Sequence, residues 1–192
     1  MAAYNESLTI EQGTETLRVC EGLRVARVWR SLDHCIVLEI GRLRRETLRL
    51  ASRPKPLRTM KGQIACLIES DWRVEKPRSI QFGSGFSDRR IDRLLKSLIG
   101  RRIVGMSLSG RLPELRIELD DGRAISTFTD WCNQPQWHVG FHDPALFNLR
   151  ALPSGADIEP WMCFEKGRVR VQYCYDERQP VERKFIQRLA RA

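Results

Sequence analysis

One tryptophan phrase occurs twice in this chain. CLIESDWRVEKP (66–77) and CNQPQWHVGFHD (132–143) each set a tryptophan at the rim of a strand-like run, followed by a basic residue and a valine. The segments before each phrase also recur in order. LRVARVW (23–29), CIVLEIG (35–41) and QIACLIES (63–70) lead to Trp72. GRRIVGMSL (100–108), ELRIELDDG (114–122) and GRAISTF (122–128) lead to Trp137. Aligning the two places Gly100 over Gly22, Ile103 over Val25 and Gly122 over Gly62. Ile36, Leu38 and Ile40 alternate with Val37 and Glu39, and Leu115, Ile117 and Leu119 alternate with Arg116 and Glu118, the period of a strand with one buried face. A β unit present twice, with loops free to change length, accounts for the recurrence. Trp72 and Trp137 are then expected in equivalent, largely buried positions.

Between the two units lies a helix. Ser87 or Asp88 can cap it, Ile91, Leu94, Leu95 and Leu98 recur at helical spacing, and Gly100 stops it. Arg89, Arg90, Arg93 and Lys96 fall on its other face. The tail reads as a hairpin, EPWMCFE and RVRVQYCY about a Lys-Gly turn, then a short helix carrying Val181, Phe185, Ile186 and Leu189. The expected class is α+β: two degenerate β-meander repeats with antiparallel sheets joined by a helix, plus the C-terminal hairpin and helix. The boundaries are 1–86, 87–150 and 151–192, within one compact unit. The expected core is Val25, Ile36, Leu38, Ile40, Ile64, Leu67, Leu94, Leu98, Ile103, Leu115, Ile117, Leu119 and Phe128.

Charge is concentrated in one place. The net charge is +9, and the stretch from Arg42 to Lys61 holds Arg42, Arg44, Arg45, Arg49, Arg53, Lys55, Arg58 and Lys61 against Glu46 alone. Such a stretch is either a solvated loop or an element that grips polyphosphate or an acidic protein surface. It has no Phe, Tyr or Trp on which bases could stack, so nucleic acid would be held through its backbone alone. No basic n-region precedes an apolar block near Met1, and no apolar run is long enough to span a bilayer, so a cytoplasmic protein is expected. The 6 cysteines form no C-x-x-C pair. Cys35, Cys66 and Cys174 sit in strand-like runs and read as small core hydrophobes.

Reactive residue types gather in DWCNQPQWHVGFHD: Asp130, Cys132, His138, His142 and Asp143. His138 and His142 have the helical spacing of two zinc ligands, but on a strand residues four apart stand about 13 Å from each other. A Cys132–His138 nucleophile pair is the other arrangement this stretch allows. A polar loop beside a strand edge fits it better, so no enzyme, cofactor or metal is expected. Asp120 and Asp121 belong to a DDG hairpin turn. Glu69, Asp71 and Glu75 read as a solvated strand face around Trp72.

The order of three strands and a tryptophan, a helix, and three strands and a tryptophan, with WRV…IQFGSG and LRIELDDG, resembles a group of small bacterial proteins. Some of these look like immunity proteins of polymorphic toxin systems. The resemblance covers about residues 20–150, carries no catalytic residue, and implies a non-enzymatic protein that binds a protein partner, an acidic-surfaced toxin. The alternative is a nucleic-acid-associated protein that holds phosphate backbone through residues 42–61.

Overall fold

The computed structural model describes residues 5–31, 34–48, 55–128, 136–143, 146, 159–165 and 168–174. In chain order the elements are β1 (Asn5–Leu8), α1 (Ile10–Leu17), β2 (Val25–Arg30), β3 (Ile36–Ile40), β4 (Arg44–Leu48), β5 (Leu57–Lys61), β6 (Ile64–Ile68), β7 (Asp71–Lys76) and β8 (Ser79–Gly83). They continue with α2 (Asp88–Leu95), β9 (Ile103–Ser109), β10 (Glu114–Leu119), β11 (Ala124–Phe128), β12 (Trp137–Phe141), β13 (Glu159–Glu165) and β14 (Arg168–Cys174). A seven-stranded sheet runs β1-β14-β13-β12-β6-β3-β2, a five-stranded sheet runs β8-β7-β11-β10-β9, and β4 and β5 form a two-stranded ribbon. Among the described residues, every pairing between these strands is antiparallel.

This corrects the expected α+β class. Among the described residues the fold is β-rich, with fourteen strands against two eight-residue helices, each extended by one 3-10 turn at Arg18–Cys20 and Lys96–Leu98. α2 has a counterpart, α1, which precedes β2 as α2 precedes β9, and whose N-terminus is closed by a reciprocal Thr9–Gln12 capping box. The terminal helix expected after Pro180 lies outside the described residues.

The two halves share register down to their irregularities. Val25 faces Ile40 and Val28 faces Leu38 across β2–β3, with a bulge between Val25 and Arg27. Ile103 faces Leu119 and Met106 faces Ile117 across β9–β10, with a register shift at the matching Glu118/Leu119. The β2 and β9 entries also bond each other reciprocally. Val25 N–H donates to the Arg101 carbonyl at 2.9 Å, Ile103 N–H to Leu23 at 2.8 Å, Gly22 N–H to Ile103 at 2.8 Å and Gly100 N–H to Val25 at 2.7 Å. Gly22 and Gly100 both sit near φ +80°, a backbone region that favours glycine, which fits the alignment of these two positions.

The tryptophan strands change sheets. β7, following β6, leaves the first half to pair with β11, and β12, following β11, pairs with β6. Trp72 therefore stands opposite Thr127, and Trp137 opposite Ile68. Both indoles are buried, and their N–H groups donate to matching carbonyls: Trp72 to His34 at 2.7 Å, Trp137 to Pro113 at 2.9 Å. Each acceptor precedes the second strand of its half. The register also shifts the expected alignment of Gly122 with Gly62 by one residue: Leu38 faces Cys66 as Ile117 faces Ile125, which sets Asp121 against Gly62.

The core fills the space between the inner faces, with rows such as Leu38, Cys66, Val139, Met162 and Val171 from the larger sheet and Met106, Ile117, Ile125, Val74 and Phe82 from the smaller. Three expected core residues fall elsewhere. Leu67 is buried on the outer face of the seven-stranded sheet, Phe128 is half-buried beneath the Arg73 guanidinium on the outer face of the other, and Leu94 only flanks the core.

Candidate functional site

Because β2–β3 and β9–β10 match in register, the outer faces of the two sheets can be compared position by position. On the open face of the five-stranded sheet, Ser107, Arg116, Ser126 and Arg73 lie side by side. Arg116 pairs with Glu75 at 3.0 Å and Glu118 at 3.1 Å, and Arg73 also pairs with Glu75. The flanking arginines hold the Glu75 carboxyl below its usual range against the burial that would raise it. This is an ion-paired, solvated surface, as expected for the residues around Trp72. Glu69 departs from that expectation: it is turned to the other sheet and lies 3.5 Å from His138.

The matching positions on the seven-stranded sheet read Trp29, Val37, Leu67, His138 and Cys163. Cys35, Val37 and Leu67 form a second apolar cluster there, with Trp29 against it. His138 projects from this face of β12, and His142 follows one residue past the strand's end. Between them Trp161 lies over Gly140, so close that an added Cβ would fall 2.7 Å from the ring. His142 meets Trp161 edge-on with centroids 5.5 Å apart. The two imidazoles are thus separated by an indole, and among the described residues no group of three or more His, Cys, Asp or Glu could hold a metal. Cys132 and Asp130 lie outside the described residues. Burial pushes the thiols of Cys20, to about 12, and Cys66 upward, which keeps both protonated and inert in the core.

The first half also carries the basic insertion, and the structure shows it as the ribbon β4–β5. Arg44 faces Lys61, Arg45 faces Met60 and Thr47 faces Arg58. Pleating puts Arg45, Thr47, Arg58 and Met60 on one side, and Arg44, Glu46, Thr59 and Lys61 on the other. The only ribbon carboxylate, Glu46, lies 3.5 Å from Lys61. Arg42, Arg45, Lys55 and Arg58 are exposed, and no carboxylate pairs with them among the described residues. Arg49 and Arg53 lie outside those residues. A loop would have left these charges scattered; the ladder fixes four of the expected site residues, Arg44, Arg45, Arg58 and Lys61, in register.

The root of the ribbon is held at both ends. Arg42 N–H donates to the Gln63 side chain at 2.9 Å, and Gln63 donates to Asp143 at 2.9 Å. Gly62 N–H donates to Glu39 at 2.7 Å, and Glu39 is buried on the outer face of β3. A Cβ on Gly62 would fall 2.7 Å from the Ile40 carbonyl and 2.8 Å from its nitrogen, both backbone atoms that cannot yield. Gly62→Ala is therefore expected to lower the unfolding free energy by about 1–3 kcal/mol in urea titrations, as overpacked sites do. An unchanged midpoint would show that the root is loose. Neither Glu39 nor this anchorage was singled out from sequence. The signal was a glutamate inside the otherwise apolar run CIVLEIG.

No protein-family model matches the chain, and no curated protein or solved structure matches it. No helix among the described residues is long and apolar enough to cross a membrane.

Proposed function

We propose that this chain is a non-enzymatic binding protein that presents the ribbon β4–β5 to a protein with an acidic surface. The observation that carries this reading is the set of exposed cations on or flanking the ribbon, Arg42, Arg45, Lys55 and Arg58, with no carboxylate partner among the described residues, on an element hydrogen-bonded at its root. Fixed, unneutralised charge of one sign steers an oppositely charged partner and suppresses wrong ones. Within this reading, neutralisation of a toxin is the role that the resemblance to immunity proteins implies. The ribbon's residues are polar or aliphatic, without a ring to stack a base, which favours protein over nucleic acid.

The test is capture from nuclease-treated lysate of the native host. The wild-type chain is expected to retain an acidic protein that a chain with Arg42→Glu, Arg45→Glu and Arg58→Glu retains at least about tenfold less, as loss of several charge contacts implies. Recovery of nucleic acid alone from untreated lysate, with no protein partner, would sink the reading and leave phosphate-backbone binding through residues 42–61 in its place.

A further inference from the structure

The ribbon is a sheet left unfinished. Among the described residues β4 and β5 pair only with each other, whereas the other two sheets have seven and five strands. A two-stranded ribbon is marginal in water, and a third strand with complementary N–H and C=O groups is what completes it. The two edges are not alike. On β4, Arg44, Arg45 and Thr47 are exposed and Glu46 is half-buried, whereas on β5 only Arg58 is exposed and Thr59, Met60 and Lys61 are half-buried. The more open strand is therefore β4. Its arginines repel a second copy of the same ribbon, the usual guard on an exposed edge. They favour a strand of opposite charge, since opposite charges facing each other across a sheet attract and like charges do not.

We propose that the partner adds an extended acidic segment to β4, Arg44–Leu48, as a third strand, with acidic side chains at alternate positions on the side of the ribbon that carries Arg45 and, one strand further in, Arg58. Alternation matters because Arg45 and Arg58 share one side of the ribbon with no carboxylate, while the other side holds Glu46 between Arg44 and Lys61. A slip of one residue would carry every acidic side chain to the side where Glu46 already offsets part of the positive charge, so charge favours one register over the other. The root bonds from Gln63 and Glu39 hold the ribbon ready, which lowers the ordering cost of the encounter. This inference rests on the ribbon being the contact element, and it adds the mode of contact.

The test uses the full chain and an eight-residue peptide of alternating Glu and Val, followed by fluorescence anisotropy. Two further peptides carry N-methyl groups on either the odd or the even residues. An added strand donates only every second N–H to its neighbour, so one methylated peptide is expected to bind like the parent and the other to bind about tenfold more weakly or worse. The chain with Arg45→Glu and Arg58→Glu, both exposed changes that spare the core, should lose the parent peptide. If both methylated peptides bind as the parent does, strand addition is overturned while the acidic-partner reading stands. If no peptide binds but a DNA duplex does, in a salt-sensitive manner, both are overturned.

Discussion

Trp137→Ala is expected to cost about 3–5 kcal/mol of unfolding free energy, and Trp72→Ala the same within about 1 kcal/mol. Each indole is buried, at 0% and 1% exposure, so truncation leaves a large cavity in a shared core. Each also loses an N–H donor, which leaves the carbonyl of Pro113 or His34 to find another partner. Trp→Phe at either position separates the two effects, because it restores most of the volume but not the donor. It should cost about 1–3 kcal/mol, the range for an acceptor left without its partner, with Trp137 toward the upper end because its bond to Pro113 is buried and the Trp72 bond to His34 only partly so. Domains of this size have about 5–15 kcal/mol in total, so the double alanine variant should not fold. Denaturant titrations measure all of these. A cost below about 1 kcal/mol at one tryptophan and a large cost at the other would deny that the two positions are equivalent.

How far such equivalence could be read from the chain depended on range. Period-two alternation in CIVLEIG and ELRIELD reports local geometry, and β3 and β10 formed where it placed them. Helical spacing in IDRLLKSL did the same for α2. The exchange of β7 and β12 between sheets is a non-local pairing, on which local period is silent. α1 was missed because IEQGTETL offers little apolar signal: its buried residues are Gly13 and Leu17, and Gly13 is there to let Leu108 approach. The candidate site was partly legible. The cationic stretch was plain, but whether it was loop or ladder turned on β4 and β5 finding each other across residues 49–56. The buried outer face had a cue that went unused. QIACLI is apolar at consecutive positions, the mark of a strand covered on both sides, whereas ELRIEL alternates and has one wet face. Where the two halves differ in this respect, the second has Arg116 and Ser126 and the first has Val37 and Leu67.

Glu39 provides the largest expected pH effect. Burial lifts its carboxyl from the ordinary 4.5 to about 7; the Gly62 N–H, Lys61 and Arg27 pull it back only in part, and Glu46 adds to the rise. An acid whose pKa is higher in the fold than in the unfolded chain favours folding while it is protonated in both states. Its contribution is therefore complete below about 4.5 and is lost as pH climbs through about 7. The span corresponds to roughly 3 kcal/mol. Glu75 and Asp121, whose carboxyls arginines hold below their usual values, act in the opposite sense and at lower pH, outside this window. Glu39→Gln keeps an oxygen for the Gly62 N–H and has no charge to bury. The wild-type chain should lose roughly 3 kcal/mol relative to this variant between pH 5 and pH 8 in urea titrations. The histidines are common to both chains, so the difference belongs to Glu39. Parallel curves across that range would mean that the carboxylate at the root of the ribbon is charged throughout and stabilised by its neighbours, and the buried acid would then be a permanent anchor for Gly62 with no titration at neutral pH.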